Sequence, residues 1–251
     1  MPPSPLPWTA QPNHSQNFRF TGTLNGSFFL DDDTGATNAD ATYNSSVTLS
    51  KSPGSYTAIV SAYTNWFLTA ITCTPSNAAT VNLATRAVTI NATAGATINC
   101  TFVEQRASTV RATKYNDLNN SGTRSSNEPY LSGWTMTLYD MQNNMLASGV
   151  TDANGRFNFT RRLPSTYKVC ETLTPGWTNT QPRNLDAVLG KPCRTVTTQP
   201  GRVSTLPFGN RVVAAAQGAA ASQETVEDPQ EGITITIEED ALAESPEEDA
   251  P

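Results

Sequence analysis

Lys114, Glu171 and Asn210 are side chains whose chemistry could join them covalently. Read as strands, Val110, Ala112 and Lys114 share one face, as do Tyr167, Val169 and Glu171, and Leu206, Phe208 and Asn210. A lysine, a glutamate and an asparagine thus each end an apolar stripe and are expected to meet inside a core. Desolvation disfavours charge, so burial drives the amine and the carboxyl toward their neutral forms. A neutral amine can attack the asparagine amide carbon while the protonated carboxyl polarises its oxygen, and ammonia leaves. The product is an intramolecular isopeptide bond. The alternative is a Lys114–Glu171 salt bridge at a sheet edge, with Asn210 an ordinary turn residue.

A second constellation follows Lys114 directly. Asp117, Asn119, Ser121, Gly122, Thr123 and Glu128 have the oxygen spacing of an EF-hand loop. Asp117 stands at position 1, Asn119 at 3, Ser121 at 5, Gly122 at the sharp turn, the Thr123 carbonyl at 7 and Glu128 at 12. The implied ligand is calcium. Only two carboxylates face the ion and Arg124 adds positive charge, so the expected dissociation constant is about 10⁻⁴–10⁻³ M. The alternative is a polar loop ordered by Asx turns. Asp31-Asp32-Asp33 is a lesser calcium candidate, read chiefly as a solvated turn after a strand.

The four cysteines fall into two separated pairs, Cys73 with Cys100 and Cys170 with Cys193. None forms CxxC, which speaks against zinc and thioredoxin-like chemistry. The only histidine, His14, lies far from all of them and cannot activate a thiol. One disulfide per domain in an oxidising compartment is the expectation. The single histidine also speaks against a Ser-His-Asp or Cys-His mechanism, and no acid pair is placed for glycoside hydrolysis; the chain is not expected to be an enzyme. Trp66 and Trp177 could stack on sugars, but their matched places in the sequence favour core packing.

These groups must be positioned by strands. From Asn17 to about Val103, and again from Thr109 to about Arg211, short runs rich in Thr, Val, Ile and aromatics alternate with Gly, Asn, Asp and Pro. Asp152-Ala-Asn154-Gly155 signals a tight hairpin, since Asn-Gly supplies positive φ angles. No eleven-residue window has a helical period. Pro53-Gly-Ser-Tyr56 and Pro164-Ser-Thr-Tyr167 each precede a tryptophan by the same spacing, Trp66 and Trp177, which points to a tandem duplication. The expected fold class is all-β: a disordered lead-in at 1–15, sandwiches at 16–106 and 107–211, and an Ala-rich then acidic disordered tail at 212–251. Glu104–Ser108 reads as a short polar link, and a calcium site at 117–128 near it would restrict motion there. Ile233-Thr-Ile-Thr-Ile237 is a β-prone pentad within the tail.

Charge is unevenly spread. Residues 217–251 hold eleven of the 22 acids and none of the 16 Lys and Arg, leaving residues 1–216 at +5. No basic stripe tracks a phosphate backbone, and no nucleic-acid partner is expected. No segment approaches a membrane span. Met1–Trp8 has no basic n-region and no apolar h-region, so it is not a signal peptide. The chain then reads as a fragment of a longer secreted protein, as having a misplaced start, or as exported unconventionally.

The second block, with Lys114-Tyr-Asn-Asp-Leu-Asn-Asn-Ser-Gly122, Asn127-Glu-Pro129, Gly133-Trp-Thr, Thr151-Asp-Ala-Asn-Gly155, Pro175-Gly-Trp177 and Phe208-Gly-Asn210, resembles a B-type repeat domain of bacterial surface proteins, SdrD B-like or Cna B-type. The first block, with Phe29-Leu-Asp-Asp-Asp33, Pro53-Gly-Ser-Tyr56 and Cys100-Thr-Phe102, is similar to SpaA-type prealbumin-fold domains. The resemblance implies transthyretin- or immunoglobulin-like β-sandwiches serving as stalk or spacer of an extracellular adhesin, monomeric modules of a larger surface assembly. It points to the same Lys114–Glu171–Asn210 triad. In the first block Val60 stands where Glu171 would, so no cross-link is expected there. The alternative function is a module binding a carbohydrate or a host or matrix protein.

Overall fold

Alternation of buried apolar and outward polar residues builds two sandwiches in succession. The computed structural model describes residues 6–11, 16–31 and 43–213, the first of these by backbone alone. Asp32, Asp33 and Ile233–Ile237 lie outside the described residues.

The first sandwich contains β1 (Leu6–Gln11), β2 (Phe18–Gly22), β3 (Gly26–Leu30), β4 (Ser46–Val47), β5 (Gly54–Val60), β6 (Trp66–Thr74), β7 (Ala79–Asn82), β8 (Ala87–Ala92) and β9 (Asn99–Arg106). The second contains β10 (Ser108–Asn116), β11 (Thr135–Tyr139), β12 (Met145–Val150), β13 (Arg156–Arg162), β14 (Thr166–Glu171), β15 (Trp177–Gln181), β16 (Cys193–Thr197) and β17 (Val203–Val212). The sheet orders are β4-β1-β9-β6 and β3-β2-β5-β8-β7 in the first, and β13-β10-β17-β15 and β12-β11-β14-β16 in the second. Strand for strand these are the same topology, with β7 added at one edge of the first sandwich. In each, the first and last strands pair in parallel at the centre of a sheet.

Each sandwich has its own core. Phe18, Phe20, Leu30, Val60 and Phe102 are buried in the first, and Val110, Met136, Leu138, Phe159, Val169 and Phe208 in the second. Each such side chain contributes about 1.5–3 kcal/mol by leaving water. The repeated tyrosines act alike: Tyr56 Oη donates to Ser52 O at 2.9 Å and Tyr167 Oη to Leu163 O at 2.5 Å, each four residues back. Trp66 packs edge-on against Phe18 with centroids 5.1 Å apart, and Trp177 against Trp134 at 5.3 Å.

Both disulfides form, Cys73–Cys100 and Cys170–Cys193. Each joins directly paired residues on neighbouring antiparallel strands, β6–β9 and β14–β16. These are not equivalent strands of the repeat, so the two bridges staple opposite sheets.

Several expectations change. The lead-in at 1–15 contains a strand: β1 pairs with both β9 and β4. Its alternation of Leu6, Trp8 and Ala10 is obscured by prolines at 2, 3, 5 and 7. The polar link Glu104–Ser108 is almost all strand, with Ala107 alone between β9 and β10, and both Glu104 and Ser108 are buried. The 117–128 loop is not near it, because the nine residues of β10 intervene, about 30 Å of chain. The Asp152–Gly155 turn is not a hairpin between paired strands. It carries the chain from β12 in one sheet to β13 in the other, with positive φ at Gly155 alone. Asp152 Oδ1 accepts from Asn154 N and Arg156 N and supplies the turn that Asn154 was expected to make. Asp31 is buried rather than solvated, and its N–H donates to Asn44 O at 3.0 Å.

Candidate functional site

Parallel pairing of β10 with β17 sets Lys114 opposite Phe208 and Asn116 opposite Asn210, so Lys114 and Asn210 lie on adjacent strands of one sheet. Glu171 closes β14 in the facing sheet, opposite Met136. All three side chains are fully buried. Lys114 Nζ lies 2.7 Å from Glu171 Oε2, and Asn210 Nδ2 donates to the same oxygen at 3.3 Å. Glu171 Oε1 and Asn210 Oδ1 are buried without a hydrogen-bond partner. Trp134 covers the amine, its ring centroid 4.5 Å from Nζ.

Burial pulls the Lys114 ammonium down to about 8, against the attraction of Glu171. Burial pushes the Glu171 carboxyl up to about 6, against the attraction of Lys114. Both groups are moved toward their neutral forms. The structure therefore brings together the three residues that ended apolar stripes. Asn210 lies within β17 rather than in a turn, and the Lys114–Glu171 pair is in the core rather than at an edge. The carboxyl oxygen faces the amide nitrogen, not the amide oxygen. Trp134 belongs to this cluster too; its signal in the sequence was the Gly133-Trp134 pair.

The 117–128 loop begins where β10 ends. Asp117 Oδ1 accepts from Ser121 N at 2.9 Å and Oδ2 from Gly122 N at 2.8 Å. Asn119 Oδ1 also accepts from Ser121 N at 2.9 Å. Glu128 Oε2 accepts from Ser125 N at 2.7 Å, and Oε1 from Asn119 N at 3.4 Å. Ser121 Oγ donates to Thr123 O at 2.8 Å. Gly122 takes a positive φ of 76°, and a Cβ there would sit 3.2 Å from Thr180 O. Asp117 and Glu128 are buried. Burial opposes the charged form of Asp117, but the Thr180 hydroxyl, the Gly122 and Ser121 amides and the Arg183 guanidinium outweigh it and hold the carboxyl below its usual range. The backbone amides fold the five expected ligand residues onto one loop. The donor set, all oxygen with two carboxylates, fits a hard cation such as calcium.

The first sandwich is built differently at the matching places. Phe102 and Phe208 are equivalent in the repeat, so Glu104 holds the position of Asn210, and Val60 that of Glu171. Both are buried. Glu104 Oε1 pairs with Arg86 Nη2, whose guanidinium also donates to Val60 O and Ser61 O at 3.0 Å each. Burial pushes the Glu104 carboxyl up to about 7 in spite of Arg86. This pair was missed in the sequence because Glu104 read as part of a polar link.

Among the described residues no helix is long and apolar enough to cross a membrane. No curated protein matches the chain. Among solved structures, the Bacillus anthracis TIE protein is 16% identical over 83% of this chain and 33% of its own, with a TM-score of 0.34. GBS52, the minor pilin of Streptococcus agalactiae, is 10% identical over 84% of this chain and 97% of its own, with a TM-score of 0.33. BcpA, the major pilin subunit of Bacillus cereus, is 10% identical over 83% and 99%, with a TM-score of 0.33. The chain spans about a third of the length of the TIE protein. Residues 9–106 match the family of prealbumin-like fold domains, and residues 109–188 that of SdrD B-like domains. Neither is a family of enzymes. Within this chain, a region that matches the prealbumin-like fold domains is thus followed directly by a region that matches the SdrD B-like domains.

Proposed function

We propose that the chain is a non-catalytic structural spacer in an extracellular surface assembly, held by its two disulfides, by calcium in the 117–128 loop and by an isopeptide bond between Lys114 and Asn210. The observation that carries this reading is the burial of three complementary groups at one point of the core, with Glu171 Oε1 and Asn210 Oδ1 unpartnered. Buried polar atoms without partners are rare and call for an explanation. A reaction that leaves Glu171 as a neutral acid is one, since its O–H could then donate to the Asn210 carbonyl oxygen.

The chemistry follows from the position of Glu171 Oε2, which contacts both the attacking and the leaving nitrogen. Proton transfer from the Lys114 ammonium to Glu171 gives a neutral amine and a neutral acid. The amine lone pair attacks Asn210 Cγ, and a new C–N bond forms. Glu171 then returns a proton to Nδ2, the Cγ–Nδ2 bond breaks, and ammonia leaves. The surplus proton on the former lysine nitrogen passes to Glu171, which ends as the neutral acid beside a neutral amide and ammonia. Calcium, when bound, would supply a positive charge shared by the Asp117, Asn119, Ser121 and Glu128 side chains and the Thr123 carbonyl, fixing the loop that leaves β10.

The intact mass tests the bond. The purified chain should be lighter by about 17 Da than the disulfide-bonded sequence requires, the mass of one ammonia. Glu171→Ala and Asn210→Ala proteins should both lack that loss. A wild-type mass equal to that of the disulfide-bonded sequence leaves a buried ion pair and removes the cross-link from the reading.

A further inference from the structure

Three arginines without a counter-ion line a hollow where the chain passes from the first sandwich to the second. The hollow has a volume of about 240 Å³ and is lined by Arg106, Arg161 and Arg202, with Asn65, Ser108 and Thr160 among its polar walls. No aspartate or glutamate lines it. Among the described residues, none of the three guanidinium groups has an ion pair or a hydrogen bond. Other arginines of this chain are engaged: Arg111 donates to Asn158 Oδ1, Arg183 to Asn120 O and Arg194 to Pro207 O.

The hollow is a built feature of the strand framework. Arg106 ends β9 and is paired with Trp66 of β6. Ala107 N donates to Asn65 O at 2.7 Å and Thr109 N to Arg202 O at 2.9 Å, which ties three walls together. Arg161 occupies an irregularity in β13. The register steps from Ser108↔Arg162 to Val110↔Phe159, so β13 carries one extra residue there. Arg161 takes a φ of 54° within that bulge. Bulges re-aim side chains, and Arg161 is among the residues that line the hollow.

We propose that this hollow binds the phosphate or sulfate ester group of a small polyol or sugar. Three guanidinium groups carry more positive charge than one carboxylate neutralises. Their planar, paired N–H donors match the several acceptor oxygens of a tetrahedral oxyanion. The volume falls below the roughly 300–1,000 Å³ of pockets for drug-sized ligands, so the ester is carried on a single small unit. Because Arg106 comes from the first sandwich and Arg161 and Arg202 from the second, the bound anion would be held by both.

Calorimetric titration of the full chain with glycerol phosphate, glucosamine 6-sulfate, inorganic phosphate and inorganic sulfate tests the site. The wild-type protein should bind at least one ester, and binding should weaken in about 0.5 M NaCl, where charges are screened beyond about 4 Å. Arg161→Gln/Arg202→Gln should lose at least about tenfold in affinity through the lost charge-assisted bonds. Arg106→Gln, a change in the other sandwich, should weaken the same ligand. Arg156→Gln, on β13 but outside the hollow, should bind as the wild type does. Tighter binding of glycerol phosphate assigns a phosphate-bearing polyol, and tighter binding of the sulfated sugar assigns a sulfated glycan. The proposal is overturned if the wild type binds neither ester, including when it binds only the inorganic ions, or if affinity is unchanged in folded Arg161→Gln/Arg202→Gln and Arg106→Gln proteins.

Discussion

Glu104 and Glu171 occupy corresponding halves of the same problem, a carboxyl group in an apolar interior. Removing water from an ion costs several kcal/mol unless a partner and hydrogen bonds replace it. Glu171 meets a lysine and an amide, and Glu104 meets an arginine that reaches in from the turn before β8. The folded-state value of about 7 for Glu104 lies above its ordinary 4.5. The folded state therefore binds more protons than the unfolded chain between those values, and this group's contribution is complete below about 4.5 and lost as pH rises through about 7. Arg86→Leu removes the group that lowers the Glu104 value. It should destabilise the first sandwich by about 3 kcal/mol at pH 8, and by clearly less at pH 5, where the carboxyl is protonated. Urea unfolding of both proteins at the two pH values checks this; an equal loss at both would show that Arg86 acts through packing and its bonds to Val60 O and Ser61 O, not through the Glu104 charge. The residues of the second cluster were legible because each sat in register with two apolar neighbours. Glu104 obeys the same alternation behind Cys100 and Phe102, yet a charge in that place reads as an outward residue until a partner such as Arg86, 18 positions away, is known to reach it.

At the scale of elements, the 117–128 loop shows how far spacing alone carries. The positions of Asp117, Gly122 and Glu128 were readable because a cation shell and an amide-capped turn demand the same oxygens at the same intervals. Spacing does not distinguish the two, since the amides of Ser121, Gly122 and Ser125 already engage both carboxylates. Calcium titration does. At ten times the dissociation constant, calcium should stabilise the second sandwich by about 1.4 kcal/mol, a rise of a few degrees in melting temperature by calorimetry. Asp117→Ala/Glu128→Ala should show no rise, and a variant that keeps the full shift would place the ion elsewhere. Strands were legible where β-branched residues alternate with polar ones, as in Ala87–Ala92. Three strands were not. β1 hides among prolines; β15, Trp177-Thr-Asn-Thr-Gln181, is polar after its first residue; and β16 starts at a cysteine behind Pro192. Their places are set by neighbours in the sheet, which local pattern does not record.

For the molecule as a whole, two sandwiches of one topology carry their covalent ties in different places. Cys73–Cys100 joins β9 to its neighbour β6, whereas Cys170–Cys193 joins β14 to β16, and only the proposed Lys114–Asn210 bond would tie β10 to β17. That pair runs parallel over eight residue positions, from Thr109↔Val203 to Asn116↔Asn210. The chain enters the sandwich at one end of the pair and leaves it at the other. A pull on the two ends therefore slides β10 and β17 past each other and strains all their hydrogen bonds at once, whereas pulling from a single end would open them one by one. The same holds for β1 and β9. In single-molecule stretching of an Asn210→Ala protein, in which no cross-link can form, handles at Ala107 and Val213 should need a larger rupture force than handles at Ala107 and Arg202; equal forces would show that the parallel pair is not the resisting clamp. A Lys114–Asn210 bond, if formed, would stop the slide near the exit end before the ladder could part.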